Sequence, residues 1–303
     1  MPEISAAMVM KLRQQTGAAM MLCKEALKET DGDFESATVY IRKKLGGKLS
    51  GATDRTAAEG VITVVVLDSQ DAAIVELNAE TDFVARSEDF KSFARDLAEQ
   101  VARGKGHSVE TVLTQDSHAE PGKTVQARLE DVYTKLREKI VFKRFEFIST
   151  DENGVLAGYV HVPANDKIGV LVELEAASPE AAKSEAAQAV GRELAMQIAA
   201  SKPRFQTRDE VSEHILDQER DVARETAIND GRPEAQIEKI VDGRIRKFYE
   251  EAVLVDQVWL RDTKKTVSQV LKEAGVTLRR YVRYSVGEQT GVETSGSIKE
   301  TAE

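Results

Sequence analysis

The apolar positions of the chain form short strand-like runs and longer helical stripes, and part of this pattern occurs twice. Ile74-Val75-Glu76-Leu77 recurs as Leu171-Val172-Glu173-Leu174, and segment 94–102 recurs as 191–199. Both blocks have the same offset of 97 residues (74 to 171 and 94 to 191). Apolar, charged and small positions match through most of each block, which is hard to obtain by chance. The sequence therefore predicts an internal duplication.

Each copy of the repeat is predicted to contain two strands, a helix and a later strand. Alternation in segments such as Phe145-Glu146-Phe147 indicates strands with one buried face. The predicted strands are 61–67, 72–78 and 141–148 in the first copy, and 155–162, 168–175 and 280–286 in the second. We predict an α+β fold with two duplicated subdomains, 61–150 and 151–303, each an antiparallel three-stranded sheet covered by helices.

The first 47 residues carry helical stripes instead. The apolar stripes are Met8, Val9 and Leu12; Met20, Met21, Cys23, Ala26 and Leu27; and Ala37, Ile41 and Leu45. Gly17 is suited to a left-handed cap, Asp33 to an N-cap, and Gly46-Gly47 is expected to stop the third helix. We predict a three-helix docking domain over 1–47 and, from its small and charged residues, a linker over 48–60.

An insertion separates the helix of the second copy from its last strand. Val211, Ile215 and Val222 recur at helical spacing, with the polar Gln218 between them, and a turn signal follows at 229–233. A second helical stripe then contains Ile237, Val241, Ile245 and Phe248. Two stripes joined by a tight turn predict an antiparallel helical hairpin over about 209–250 that packs on itself and projects from the subdomain.

Composition narrows the classes of function. A net charge of -10 and a pI near 5.2 argue against broad binding of nucleic acid or membranes, which favour basic surfaces. No apolar run approaches the ~20 residues that span a bilayer, and the N-terminal residues do not resemble a signal peptide. The single cysteine, Cys23, excludes an internal disulfide. We expect a cytoplasmic protein of bacterial type.

The residues do not indicate covalent catalysis. The four histidines are scattered without metal-ligand spacing, and neither a phosphate loop nor a dinucleotide fingerprint occurs. Cys23 lies on the apolar side of a predicted helix, which favours a buried inert thiol over a nucleophile. We therefore expect neither a cofactor nor a resident metal, and no enzyme activity.

The segment Thr81-Asp82-Phe83-Val84 joins a predicted strand to a predicted helix whose N-cap is Ser87. Such connections often carry binding residues on a rigid scaffold. Two readings are open at this point. Phe83 packs back onto the core and Asp82 is a solvated loop acid, as is usual for these residue types, or both face a partner.

Three segments resemble the elongation factor Ts family. Residues 80–86 are similar to its TDFVA(R/K) signature, residues 12–27 to LRxxTGAGMMDCKxAL, and residues 239–249 to KIVEGxxxKFY. The resemblance extends over nearly the whole chain. It is weaker at 162–167, where the loop is longer than in the family, at 257–259, and at 287–291.

The resemblance implies a nucleotide exchange factor for the GTPase elongation factor Tu, bound in its GDP-bound and nucleotide-free forms. It implies a ubiquitin-associated-like fold for the N-terminal helices and a coiled coil for the hairpin. Phe83 would insert between helices of the GTPase and displace its magnesium, with Asp82 engaging polar groups and Thr81 and Val84 bracing the turn.

The resemblance also implies other partner contacts. These are Leu12, Met20, Met21 and Lys24 in the N-terminal helices and His161 as a second, weaker wedge. Without the resemblance, Lys24 is simply a surface lysine. Two other classes of function stay open from the residues alone: an interaction scaffold that binds a GTPase without exchange, and a hydrolase without a recognisable motif.

Overall fold

The computed structural model describes residues 4–16, 18–49, 56–68, 70–104 and 106–288. Its helices are α1 (Ala6–Thr16), α2 (Met20–Glu29), α3 (Phe34–Leu49), α4 (Asp82–Ala85), α5 (Glu88–Gly104), α6 (Val109–Thr114), α7 (Val125–Leu136), α8 (Pro179–Ala182), α9 (Glu185–Ser201), α10 (Glu213–Asn229), α11 (Glu234–Ala252) and α12 (Val267–Glu273). Its strands are β1 (Glu59–Leu67), β2 (Asp71–Ala79), β3 (Val141–Ser149), β4 (Gly154–Val160), β5 (Ile168–Ala176), β6 (Val258–Trp259), β7 (Asp262–Thr266) and β8 (Val276–Ser285).

Two three-stranded antiparallel sheets form the centre of the molecule, in agreement with the predicted α+β class. Their strand orders are β1-β2-β3 and β4-β5-β8. Most predicted strand limits are within two residues of the observed ones. The last strand was predicted to begin at Arg280, but β8 begins at Val276. The charged residues Arg279 and Arg280 obscure the pattern there, because they pair with acidic residues of neighbouring segments.

The duplication is present in the structure. Strand β2 and β5, α4 and α8, and α5 and α9 begin 97 residues apart (71 and 168, 82 and 179, 88 and 185). The register shift at Glu76/Leu77 in the first sheet recurs at Glu173/Leu174 in the second. Both shifts lie beside buried glutamates that are paired with cations, Glu76 with Arg144 and Glu173 with Arg280. The two copies thus share local irregularities as well as topology.

A buried glutamine has the same role in each copy. Gln100 bonds to Gln115 and to the backbone of 116 and 118, while Gln197 bonds to Gln257 and to the backbone of 258 and 260. Further along the chain in each copy a threonine caps the next helix: Thr124 caps α7 and Thr266 caps α12. The offset between equivalent residues of the two copies is 97 before the insertion and 142 after it (124 to 266). The difference of 45 residues is the length of the insertion.

The two sheets pack face to face, and the long helices cover their outer faces. Ile62, Ile74 and Ile148 of the first sheet meet Leu156 and Leu171 of the second. Helix α5 packs on the outer face of the first sheet and α9 on that of the second. A Cβ atom at Gly158 or Gly169 would overlap Val64 or Ile62. Glycine at these positions lets the sheets approach closely.

The N-terminal helices form a separate small core. Its buried residues include Val9, Leu12, Cys23, Leu27 and Ile41. Asp33 caps α3 as predicted, since its Oδ1 accepts from the Ser36 N–H at 2.8 Å. The predicted stop at Gly46-Gly47 is wrong: α3 continues to Leu49. Glycine within a helix costs only about 1 kcal/mol relative to alanine, so two glycines alone do not end one. Gly17 and the Leu45 side chain lie outside the described residues.

Helices α10 and α11 form the predicted antiparallel hairpin. Arg224 of α10 pairs with Glu238 of α11, and the hairpin base packs around Leu216 and Phe248. The predicted stripe on α11 is buried at Val241 and Phe248. The first stripe is correct at its start, where Val211 is buried and Ile215 packs against the base of the hairpin. It is wrong at Val222, which is 56% exposed, whereas Leu216, Ala223 and Ala227 are buried. Alanine suits the inner face because its small side chain lets the helices approach. A coiled-coil geometry stays a prediction.

Candidate partner-binding site

The turn after β2 is held in place by hydrogen bonds from distant residues. Thr81 is the N-cap of α4, and its Oγ1 accepts from the Val84 N–H at 3.3 Å. The Thr81 hydroxyl donates to Glu138 Oε1 at 2.7 Å, and its backbone N–H donates to Oε2 at 3.0 Å. In return, the Lys139 N–H donates to Glu80 Oε1 at 2.7 Å. The connection between α7 and β3 therefore fixes the orientation of α4.

Phe83 points away from this braced turn into solvent. Its side chain is 84% exposed, while Ala85 is 3% exposed and Val84 packs against the core of the first subdomain. The reading in which Phe83 folds back onto the core is thus wrong. A large aromatic side chain on a rigid, solvent-facing turn is the arrangement expected of an anchor residue in a protein interface.

The second copy shows that the fold does not need an aromatic residue at this position. Ser178 caps α8 as Thr81 caps α4, and Ala182 is buried to the same extent as Ala85. The residue 97 positions after Phe83 is Glu180, an exposed charge. Since the same one-turn helix forms with glutamate there, exposed Phe83 is explained better by binding than by folding.

Asp82 lies beside Phe83 on the same turn and stays accessible. Its Oδ2 forms an ion pair with Arg86 Nη2 at 2.9 Å, and the two side chains are 39% and 56% exposed. Exposed pairs of this kind contribute about 0–1 kcal/mol, so Asp82 can exchange Arg86 for a polar group of a partner at little cost. Sequence reasoning did not identify Arg86 and Glu138 as site residues. Glu138 gave no local signal, because it is 57 residues away from Thr81.

His161 lies at the same end of the molecule as Phe83. Residue Glu59 pairs with Ala79 across β1 and β2, and it also forms an ion pair with Lys167 at 2.5 Å, in the loop that begins at His161. The His161 ring is only partly exposed, and its Nδ1 is 2.7 Å from the Tyr159 hydroxyl. The loop that begins at His161 therefore lies beside the end of β1, which pairs with the strand that leads to Phe83.

A family model described as Elongation factor TS matches residues 80–288. The match covers more than half of the chain and begins one residue before Thr81. The chain belongs to the elongation factor Ts family. Members of this family act as nucleotide exchange factors for elongation factor Tu in translation elongation, a role without covalent chemistry. The matched range contains the Phe83 turn, the second sheet and the helical hairpin.

The N-terminal helices precede the range that matches the elongation factor Ts family, and their candidate contacts fall into two groups. Met20, Met21 and Lys24 are exposed on α2, with exposed fractions of 46% and 75% for the two methionines. Leu12, by contrast, is completely buried in the core of the three helices. The expectation that Leu12 contacts a partner is therefore wrong for its side chain, which serves packing.

A groove separates α2 from α7. Its volume is about 740 Å³, and it is lined by Met21, Lys24, Tyr133 and Arg137 among others. Hydrogen bonds from Lys44 and Tyr40 hold the pKa of Glu25, also in the groove lining, below its usual value. Met21 and Lys24 thus lie on a concave surface of mixed apolar and charged character.

The remaining candidates for chemistry are the single cysteine and clusters of polar side chains. Cys23 is buried, as predicted. In the ranges that the structure describes, no group of three or more His, Cys, Asp or Glu side chains is arranged to hold a metal ion. No helix within those ranges combines the length and apolar character needed to cross a bilayer.

Proposed function

We propose that the protein binds elongation factor Tu·GDP in the cytoplasm, displaces the magnesium ion of the GTPase and promotes GDP release, so that GTP can bind. The observation that carries this proposal is Phe83: it is 84% exposed on a turn fixed by Thr81 and Glu138. The match to the family begins at this turn. The second copy keeps the turn and lacks the aromatic residue.

The thermodynamic requirement for such an exchange factor is differential binding. A partner that prefers the nucleotide-free GTPase lowers the affinity for nucleotide by the same factor. Each tenfold loss of nucleotide affinity requires about 1.4 kcal/mol of that preference. Interface anchors of the size of Phe83 contribute about 2–4 kcal/mol when they fill a pocket. If Phe83 fills its pocket only in the nucleotide-free GTPase, this one contact lowers nucleotide affinity by more than tenfold.

In this mechanism each residue of the turn has a distinct task. Phe83 inserts between helices of the GTPase domain and shifts the region that binds magnesium. Asp82 gives up its ion pair with Arg86 and binds polar groups of the GTPase there. Thr81 and Val84 hold the turn, the first through Glu138 and the second by packing on the core. The magnesium belongs to the partner, and this chain supplies none of its ligands.

Two further contacts complete the proposed interface. Met20, Met21 and Lys24 of α2 dock beside the nucleotide domain, since methionine offers adaptable apolar surface and lysine a charge. The loop that carries His161 supplies a second, weaker contact. Leu12 holds the docking helices together from inside.

The test is the release of a fluorescent GDP analogue from elongation factor Tu, followed by stopped flow. The wild-type protein at substoichiometric concentration should accelerate release, and Phe83→Ala should slow the accelerated rate by roughly tenfold or more. Glu180→Ala is the matched control, because it removes the side chain at the equivalent position of the second copy.

Three results would contradict the proposal. Tight binding that leaves the release rate unchanged would indicate a scaffold. Wild-type exchange by folded Phe83→Ala would exclude the wedge. Nucleotide or ester turnover by the isolated protein would indicate a hydrolase.

A further inference from the structure

The groove between α2 and α7 is basic, although the chain as a whole is acidic with a net charge of -10. Its lining contains four cations, Lys24, Lys28, Lys44 and Arg137, and one carboxylate, Glu25. A concave surface lined by charges of one sign attracts ligands of the opposite sign. The groove therefore favours an acidic ligand.

The cations of the groove differ in whether they are already paired. Lys44 forms an ion pair with Glu25, so these two charges offset each other. Within the part of the chain that the structure describes, Lys24, Lys28 and Arg137 take part in no ion pair, and all three side chains are exposed. Since the proposed contact with the GTPase uses only Lys24, the roles of Lys28 and Arg137 are unexplained.

The wall between these cations is partly apolar. Met21 is 75% exposed, and the partly buried Leu22 and Tyr133 also line the groove. Tyr133 lies one turn before Arg137, whose backbone N–H donates to the Tyr133 carbonyl at 2.7 Å. The groove volume of about 740 Å³ is in the range of ligand-binding clefts. The matching ligand is a peptide segment that combines carboxylates with apolar side chains.

The chain itself contains such a segment. The described residues end at Glu288, and the sequence continues for 15 residues, here called segment 289–303. Its charged and larger apolar residues are three glutamates, one lysine and two aliphatic residues: Glu293, Glu300, Glu303, Lys299, Val292 and Ile298. Segment 289–303 is therefore acidic overall and carries apolar side chains between its acids.

Segment 289–303 is long enough to reach the groove. Lys143 Nζ donates to the Glu288 carbonyl at 3.1 Å, and Lys143 is only six residues after Arg137 (137 to 143). Six residues span at most about 22 Å, whereas the 15 residues of the segment span up to about 50 Å. Even with the length of the Lys143 side chain added, the last residues of the segment can lie in the groove.

We propose that the groove binds segment 289–303 of the same chain, with the last two glutamates of the segment beside Lys28 and Arg137. Because the segment is tethered, its effective concentration at the groove is about millimolar, so weak contacts are sufficient for binding. A bound segment covers Met21 and Lys24 and competes with the GTPase for them. This consequence for exchange rests on the proposed function.

The first experiment detects the bound segment in the full chain by disulfide formation. Cysteines replace Ala19, in the groove lining, and Ala302, in the segment, so that no charge changes. The native Cys23 is buried and does not compete for oxidation. Mild oxidation should form a disulfide within one chain, and the reaction should slow at high salt, which screens the ion pairs.

Charge variants in the same cysteine background test the assigned contacts. Combined Glu300→Gln and Glu303→Gln should slow disulfide formation about fivefold, as expected for two exposed ion pairs. Combined Glu234→Gln and Glu250→Gln is the matched control, because both glutamates are exposed on α11.

Variants of the groove test the same pairs from the other side. Lys28→Gln with Arg137→Asn should slow the disulfide to a similar extent, and asparagine tolerates the φ of 59° at position 137. When this pair is combined with Glu300→Gln and Glu303→Gln, the further loss should be small, because the same contacts are already gone.

The second experiment measures GDP release from elongation factor Tu. Glu300→Gln with Glu303→Gln should lower the concentration of this protein needed for half-maximal exchange by up to about fivefold, because the segment no longer occupies the groove. Glu234→Gln with Glu250→Gln should leave that concentration unchanged.

The outcomes separate this inference from the proposed function. If no disulfide forms, or if it forms equally fast without Glu300 and Glu303, the inference is wrong. A disulfide between two chains would assign the groove to a second copy and overturn binding within one chain. A charge-dependent disulfide with unchanged exchange would confirm binding and overturn the competition. If wild type does not accelerate GDP release, the proposed function fails, and the disulfide experiment still decides whether the segment binds.

Discussion

Glu138 accepts two hydrogen bonds from Thr81, one from its hydroxyl at 2.7 Å and one from its backbone N–H at 3.0 Å. Thr81 in turn caps the helix that carries Phe83. The orientation of the most exposed aromatic side chain described in the molecule thus depends on a carboxylate from the connection between α7 and β3.

The Thr81 hydroxyl should matter for both stability and exchange. Thr81→Val removes the N-cap and the hydroxyl donor to Glu138, and we expect a loss of about 1–2 kcal/mol in the free energy of unfolding. GDP release should slow in parallel, because Phe83 is no longer fixed. Thr81→Ser keeps the hydroxyl and serves as the control. Urea unfolding and stopped-flow release check both effects; equal behaviour of the two variants would contradict the bracing role.

Phe83 should contribute to binding without contributing to stability. Phe83→Ala should change the free energy of unfolding by no more than about 0.5 kcal/mol, as is usual for exposed positions. Phe90 is completely buried in α5, and Phe90→Ala should cost about 3–5 kcal/mol. Denaturant titrations of both variants make the comparison. A large destabilisation by Phe83→Ala would show that the turn needs the ring for folding.

Substitutions of Leu12 and Met21 should distinguish a residue that packs in the core from one that binds the partner. Leu12→Ala should destabilise the N-terminal helices by about 2–5 kcal/mol, because the side chain is completely buried. Backbone amides of α1, α2 and α3 should then exchange with deuterium faster, while those of the sheets are unaffected. Met21→Ala should leave amide exchange unchanged and weaken binding to the GTPase. If Leu12→Ala weakened binding and left amide exchange unchanged, Leu12 would be exposed in solution and its packing role would be wrong.

Glu146 should make stability depend on pH. Burial raises the pKa of its carboxyl, and nearby Arg280 opposes this effect only in part. Because the folded state holds the proton more tightly, stability from this group is present below the unfolded pKa and is lost as pH rises through the folded pKa. Glu146→Gln should therefore raise the unfolding midpoint at neutral pH and leave it unchanged well below pH 4.5.

Glu175 provides the opposite case for the same measurement. A hydrogen bond and charge from Arg279 lower the pKa of its carboxyl. Stability from Glu175 is present above the unfolded pKa and is lost as pH falls, so Glu175→Gln should lower the midpoint at neutral pH. Thermal scans at several pH values follow both variants. If both variants shifted the unfolding midpoint in the same direction at neutral pH, the effect of burial on Glu146 or of Arg279 on Glu175 would be wrong.

The repeat was readable from the sequence because two blocks match at the same offset, and the strand pattern was readable because it depends on local periodicity. The offset of 97 residues predicted the pairs β2 and β5 and α5 and α9, which the structure contains. Side-chain alternation predicted the strands of each copy, and the strand order came from the structure. The stop of α3 and the inward position of Val222 on α10 were wrong. Two glycines predicted the end of α3, but glycine costs too little to end a helix. Helical spacing placed Val222 on the inner face of α10, but packing against α11 favours the small residues Ala223 and Ala227 there.

For the candidate site, the sequence determined which residues are unusual and the tertiary structure decided which of them are accessible. The motif at 81–84 and the helical stripe of Leu12 were both visible in the chain. Only the fold directs Val84 and Ala85 inward and Phe83 outward, buries Leu12, and brings Glu138 to Thr81 across 57 residues. Local periodicity fixes secondary structure, whereas exposure and distant hydrogen bonds depend on how the elements pack against one another.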